Sequence, residues 1–228
     1  MNRSTNRSHV LSIRFGHICI VVATLMLNGC DIKFQGIQGS GVSKSEPRTV
    51  AEFDQIEIDG VGTVNVTFGE TPSLQVTFDD NLLQYLKTEV IDGTLKISSS
   101  ESTSSATGPT FDIVMNKVNA VEINGAAKVN ILDAKLDNFK LRVDGACSFV
   151  ADGVAENLDV EMSGAGRIDA NELKAKSVKI SISGAAKADV YASETLDADI
   201  SGAGLVNCLG NPKGGNRDVS GAGRINVK

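Results

Sequence analysis

Two aspartates stand where they could carry out chemistry together. Asp169 and Asp189 each follow, by five residues, the first glycine of a Ser-Gly-Ala-Gly or Ser-Gly-Ala-Ala motif. Neighbouring carboxylates can act as acid and base in hydrolysis, or can bind calcium. Three other copies of the motif have asparagine at this position, which also suits a column of solvated polar side chains, and we favour that interpretation over catalysis. These asparagines are Asn130, Asn207 and Asn226.

Basic side chains form a second series, two positions closer to the same glycines. Such a series could bind anionic sugars or an acidic partner. Like charges at the strand spacing of about 4.8 Å repel one another unless neighbouring acids offset them. Because the Asp/Asn series is adjacent, we predict cross-coil ion pairs on a solvated face rather than a ligand site. If the face does bind a glycan or a protein, the candidate residues are Lys128, Arg167, Lys187, Arg224, Asp169 and Asp189.

The positions of the histidines argue against most hydrolytic and zinc chemistry. His9 and His17 both precede Cys30, in a segment that we predict to be removed. Without histidine, a Ser-His-Asp or Cys-His arrangement and a His-ligated zinc site are excluded. The removed segment holds three of the 22 basic residues and no acid, which leaves 19 basic against 28 acidic side chains. An acidic chain without a basic cluster does not favour nucleic acid as a partner, and we predict a non-enzymatic protein with no cofactor and no metal.

The N-terminus is organised like a bacterial lipoprotein signal. A basic start without acids precedes the apolar run ICIVVATLML, which is too short for a stable membrane-spanning helix. The following LNGC resembles a lipobox, in which Leu27, Gly29 and Cys30 match the pattern. Asn28 departs from it. We predict a signal peptide at 1–29 and a lipid on Cys30; an ordinary signal peptide, or an anchor helix with an incidental cysteine, is the alternative.

A lipid on Cys30 would hold the protein at a membrane of the cell envelope. Residues 30–49 are polar and include Gly36, Gly39 and Gly41, so we predict a flexible tether between the lipid and a folded domain. The sequence leaves the location open between the periplasmic face of the inner or outer membrane and the cell surface.

A repeat of 18–20 residues must position the candidate side chains. Around each motif glycine, apolar residues stand at even offsets and polar residues at odd offsets, which is the alternation of strands buried on one face. One unit cannot bury such a face alone, but a stack of units can. We predict an all-β fold, a single-stranded right-handed parallel β-helix with coils of about 19–20 residues that is regular from about residue 111. The motif glycines are Gly125, Gly145, Gly164, Gly184, Gly202 and Gly221, with an earlier relative at Gly60.

The recurring glycine motif is not typical of a phosphate-binding loop. A phosphate loop occurs once and precedes a helix, whereas this motif recurs between strands. We predict that the glycines form a corner where stacked backbones crowd together and a larger side chain would not fit.

The segment 50–98 contains further strand-like stretches, TVNVTF, SLQVTF, LKTEVI and TLKIS, and a helical turn in DDNLLQYL. We predict that it belongs to the same β-helix domain, which then covers 50–228. A polar loop at 98–110 separates it from the regular coils.

Two cysteines of the repeat are predicted to be separate free thiols. Cys147 and Cys208 lie three coils apart, which is about 14 Å at the strand spacing and exceeds the disulfide reach of about 7 Å. Both stand at positions that favour small buried fillers.

The order of motifs across 50–228 resembles one bacterial family. FDQIEIDGVGTVNVTFGE, DDNLLQYLKTEVIDGTLKI and FDIVMNKVNAVEINGAAKVNI, followed by the SGAG repeats, are similar to DUF2807, the auto-transporter adhesin head GIN domain. The resemblance implies a single-chain β-helix on a secreted or lipid-anchored envelope protein. It implies no catalytic residues.

The sequence therefore favours a lipid-anchored envelope protein whose β-helix provides an adhesin-like binding or scaffold surface. Its partners would be the membrane, through Cys30, and a glycan or an envelope protein. A carbohydrate-active β-helix enzyme is one alternative, disfavoured by the absence of histidine and by the short returns between strands. Self-assembly into an end-to-end homo-oligomer is another, because open solenoid ends present unpaired strand edges.

Overall fold

The computed structural model describes residues 36–228, which form an all-β solenoid. Among these residues there is one turn of 3₁₀ helix, at Leu83–Tyr85, in the segment where the sequence predicts a helical turn. None of their helices is long and apolar enough to cross a membrane. The predicted signal peptide and Cys30 lie outside the described residues.

The strands are β1 (Ile37–Gln38), β2 (Ser43–Arg48), β3 (Gln55–Ile58), β4 (Val61–Phe68), β5 (Ser73–Asp79), β6 (Leu86–Ile91), β7 (Thr94–Ser99), β8 (Thr103–Ser104), β9 (Thr110–Met115), β10 (Ala120–Ile123), β11 (Ala126–Val143), β12 (Ala146–Met162), β13 (Ala165–Ile182), β14 (Ala185–Ile200), β15 (Ala203–Leu209), β16 (Arg217–Val219) and β17 (Arg224–Val227).

Strands β11 to β14 are the regular coils, and each lies parallel to the next. The residues that follow a motif glycine form one outer surface, the post-glycine face, and those that precede the next glycine form a second, the pre-glycine face. Equivalent residues stay in register: Val129 lies opposite Phe149 on the first, and Leu141 opposite Val160 on the second. The prediction of a parallel β-helix is confirmed.

The N-terminal strands continue the same solenoid. β3 and β4 stack directly on β10 and β11, with Ile56 opposite Val121 and Val64 opposite Val129. β7 and β9 add a further parallel layer beside β3 and β4. Beyond that layer the pairing becomes antiparallel, with β6 beside β7, β5 beside β9 and β2 beside β5. The strands β3 and β4 and the layer beside them therefore extend the stack of parallel coils towards the N-terminus.

A narrow core runs through the coils. Apolar residues at even offsets point into it, and small ones such as Ala170 and Ala188 are fully buried. Phe139 and Phe149 stack with ring centroids 5.9 Å apart. Because opposite walls of each coil lie close together, Val, Ile, Leu and Ala fill the core with few aromatic rings.

The corner at the motif glycines is crowded, as predicted. The Ala146 N–H donates to the carbonyl oxygen of Gly125 at 2.8 Å, which brings one coil against the next. A Cβ on Gly145 would lie 1.8 Å from that same carbonyl oxygen. Glycine is required here by the close approach of two backbones.

The prediction of a flexible tether at 30–49 is wrong for Ser43–Arg48. This segment is strand β2, the antiparallel neighbour of β5. The turn after β5 also holds the chain before β2: the Ser40 N–H donates to the Asn81 side-chain oxygen at 2.9 Å. Most side chains of β2 are exposed, so an edge strand of this kind carries no apolar alternation that the sequence could reveal.

Part of the predicted polar loop at 98–110 is also regular, since β8 pairs in parallel with β1. The carboxylate of Asp79 joins these N-terminal segments. It accepts the Gly41 N–H at 3.3 Å and the Ser105 hydroxyl at 3.0 Å. Within residues 36–228, Asp79 is the one charged or polar residue that is buried, with 5% exposed.

Candidate binding surfaces

The residues predicted from the sequence lie on the post-glycine face, in two columns. Asp169 lies directly opposite Asp189, and Arg167 opposite Lys187, on the neighbouring strands β13 and β14. The structure therefore brings these four side chains together on one part of the face.

Lys128 and Arg224 lie elsewhere on the same face. In the register of the coils, Ser148 separates Lys128 from Arg167, and Leu205 separates Arg224 from Lys187. Neither Lys128 nor Arg224 forms an ion pair with any residue of 36–228. The six predicted residues thus do not make one continuous charged site.

The Asp189 carboxylate is the centre of the four-residue cluster. It accepts the Lys187 ammonium at 2.8 Å and the Arg167 guanidinium at 2.9 Å. It also accepts the Asn207 amide at 2.7 Å. Burial by itself would raise the pKa of Asp189, but the hydrogen bonds from Lys187 and Asn207, with the nearby positive charges, outweigh burial and lower the pKa. A carboxylate that is kept ionised and is bonded to three donors does not suit proton donation to a substrate.

Side-chain amides form a ladder along the same face. Asn226 donates to Asn207 at 2.9 Å, and Asn207 in turn donates to Asp189. Nearer the N-terminal end, Asn130 donates to the Asn65 side-chain oxygen at 2.7 Å. This hydrogen bonding from coil to coil uses donors and acceptors that a ligand would otherwise need.

The described residues contain no group of three or more His, Cys, Asp or Glu side chains that could hold a metal ion. Cys147 and Cys208 are free and buried, as predicted. Burial raises the pKa of Cys147 to about 11, so its thiol is almost entirely protonated at neutral pH.

A groove on the pre-glycine face was not predicted from the sequence. It has a cavity volume of about 620 Å³ and crosses strands β11 to β14. Two columns of side chains line it, seven and five residues before the motif glycines. The first column holds Asn138, Asn157, Ser177 and Thr195, and the second holds Lys140, Asp159, Lys179 and Asp197.

The charges beside the groove are unevenly paired. Lys140 donates to Glu161 at 2.9 Å, and this hydrogen bond lowers the pKa of the Glu161 carboxyl group. Asp159 lies between Lys140 and Lys179 in the register, yet one of its carboxylate oxygens is buried without a hydrogen-bond partner. The sequence does show polar residues at the same odd offsets before successive motif glycines. It does not show that this surface is concave, because the concavity depends on how each coil bends.

The stacked coils define a protein of the parallel β-solenoid class. The sequence model of the family DUF2807, described as "Putative auto-transporter adhesin, head GIN domain", matches residues 52–212. The chain belongs to this family. No curated protein matches the chain.

Solved structures are similar to this chain. A putative adhesin from Bacteroides fragilis is 24% identical, with a TM-score of 0.67, and the alignment covers 85% of this chain and all of that one. A putative adhesin from Parabacteroides merdae is 20% identical with a TM-score of 0.48, covering 85% of this chain and 99% of that one. A putative lipid binding protein from Parabacteroides distasonis is 22% identical, also with a TM-score of 0.48, covering 85% of this chain and all of that one. The first of these supports the fold of the chain.

Proposed function

We propose that this protein is a non-enzymatic, adhesin-like component of the bacterial cell envelope, held at a membrane by a lipid on Cys30. The observation that carries the proposal is the family match over 52–212, which includes nearly all of the stacked coils. A lipid at Cys30 would place a folded domain at a membrane surface without a membrane-spanning helix.

The post-glycine face supports a non-enzymatic role. Paired carboxylates in hydrolases need one member with a raised pKa that donates a proton. Asp189 has a lowered pKa, and its carboxylate is occupied by Lys187, Arg167 and Asn207. We therefore assign this pair of aspartates a role in stabilising the stacked coils and not in catalysis.

The rigidity of the solenoid suits a binding surface. Each coil is hydrogen-bonded to its neighbours along its length, so side chains on one column keep a fixed spacing of about 4.8 Å. Surfaces that are fixed before binding lose less conformational entropy when a partner binds.

The test has two parts, one for the anchor and one for adhesion. Cells that express the full chain are labelled with a palmitate analogue, and the expected result is a labelled protein in the membrane fraction. Cys30→Ala should remove both the label and the membrane association, whereas Cys147→Ala should change neither. Adhesion is measured by the retention of these cells on immobilised envelope polysaccharide and envelope protein fractions. Retention equal to that of cells lacking the protein would contradict the adhesin-like role.

A further inference from the structure

The groove on the pre-glycine face contains several polar side chains that form no hydrogen bond with residues 36–228, beside others that are bonded, such as Asn157 to Asn138 and Lys140 to Glu161. Among the contacts within residues 36–228, the hydroxyls of Ser177 and Thr195 and the ammonium group of Lys179 make no side-chain hydrogen bond or ion pair. Asp189, on the other face, is bonded to three donors. The groove is therefore the part of the regular coils best equipped to bind a polar ligand.

The arrangement of these groups selects a linear ligand. The column from Asn138 to Thr195 crosses four coils in register and repeats at about 4.8 Å, a length of about 14 Å. Asn157 donates to the Asn138 side-chain oxygen at 2.9 Å, which leaves the Asn138 amide group, the Asn157 side-chain oxygen and the Ser177 hydroxyl along one line. A chain that carries polar groups along its length can meet several of them at once.

The charges of the groove favour an uncharged chain. The second column alternates between positive and negative side chains, in the order Lys140, Asp159, Lys179 and Asp197. Along its whole length this column therefore neither attracts nor repels a polyanion or a polycation.

The floor of the groove disfavours a protein partner. Its large apolar side chains are buried, including Phe139 and Leu158, each 1% exposed, whereas protein interfaces depend on accessible aromatic and apolar anchors. We propose that the groove binds an uncharged linear oligosaccharide that lies along the solenoid axis. This inference rests on the proposed adhesin-like function and names its ligand class.

The experiment measures binding of cellohexaose and chitohexaose to the detergent-solubilised full-length protein by titration calorimetry. We expect at least one of them to bind. Ser177→Val should weaken that binding about fivefold, the effect of one lost hydrogen bond, and Asn157→Val/Ser177→Val should weaken it further. The matched control is Ser148→Val, which changes the same residue type on the post-glycine face and should leave affinity unchanged. Lys179→Gln, an exposed substitution, provides a second groove variant that does not alter strand packing.

Three results would overturn the proposal: no binding of either hexasaccharide, equal binding by wild type and all groove variants, or equal loss with Ser148→Val. Binding of an envelope protein alone, displaced by the groove variants, would also reject it in favour of a protein ligand. Palmitate labelling and cell retention are measured on the cells from which the protein is solubilised. A retained anchor and retained adhesion without oligosaccharide binding would reject the groove ligand and leave the proposed function intact.

Discussion

Gly184 lies so close to Gly164 of the preceding coil that a Cβ on Gly184 would be 1.8 Å from the Gly164 carbonyl oxygen. That oxygen is fixed because it accepts the Ala185 N–H at 3.0 Å. The backbone cannot move away without loss of a hydrogen bond that joins the two coils. The glycine column is thus a packing requirement of the stack.

Gly184→Ala should therefore lower the free energy of unfolding by about 3 kcal/mol or more, because the overlap is with backbone and not with a flexible side chain. The matched control is Gly60→Ala at the N-terminal end of the same column, where an added Cβ would meet no atom within 4 Å. Urea denaturation followed by circular dichroism measures both. Similar unfolding midpoints for the two variants would contradict the packing role.

Much of the fold could be predicted from the sequence because each unit carries the same alternation around one glycine. The buried positions of Val129 and Val160 follow from their even offsets, and the glycine spacing sets the register. β2 could not be predicted, since an exposed edge strand lacks apolar alternation. The pairing of Asp169 with Asp189 could be predicted from equal offsets, whereas the groove could not, because offsets do not describe the curvature of a coil.

The ion pairs of Asp189 should make stability depend on pH. Its pKa is lower in the folded chain than in the unfolded chain, so its contribution is complete above the unfolded value of about 3.9 and is lost as pH falls through the folded value. Asp189→Asn should therefore lower the free energy of unfolding by about 0.5–1 kcal/mol at pH 7, and the difference from wild type should shrink as the pH falls below the ordinary aspartate value of about 3.9.

Urea titrations at acid and at neutral pH measure the difference in the free energy of unfolding between Asp189→Asn and wild type. Asp169→Asn is the control, because its carboxylate lies at a longer 3.5 Å from Arg167 and should contribute less. If Asp189→Asn lowers the free energy of unfolding by the same amount at acid and at neutral pH, the effect of the substitution is not ionic.

Cys147 should be slow to react in the folded protein. A pKa of about 11 in place of 9.0 reduces the thiolate fraction about 100-fold at pH 8, and burial blocks access as well. Alkylation by iodoacetamide, quantified at Cys147 by peptide mass spectrometry, should therefore be at least about 100-fold slower in native buffer than in denaturant. Rapid native alkylation, or a disulfide between Cys147 and Cys208, would be incompatible with the structure.

Asp79 should hold the N-terminal segment against the solenoid. Asp79→Ala removes the acceptor of two part-buried hydrogen bonds, from the Gly41 N–H and the Ser105 hydroxyl, and each such bond contributes about 0.5–1.5 kcal/mol. Hydrogen exchange should become faster at Gly41 and along β2, while exchange in β13 stays unchanged because that strand lies in the regular coils. The matched control is Asp80→Ala, one residue away, which removes only the exposed hydrogen bond from the Ser40 hydroxyl and should have a smaller effect. Uniformly faster exchange through β13 would instead show that Asp79 supports the whole solenoid, and no change at β2 would show that it does not hold this segment.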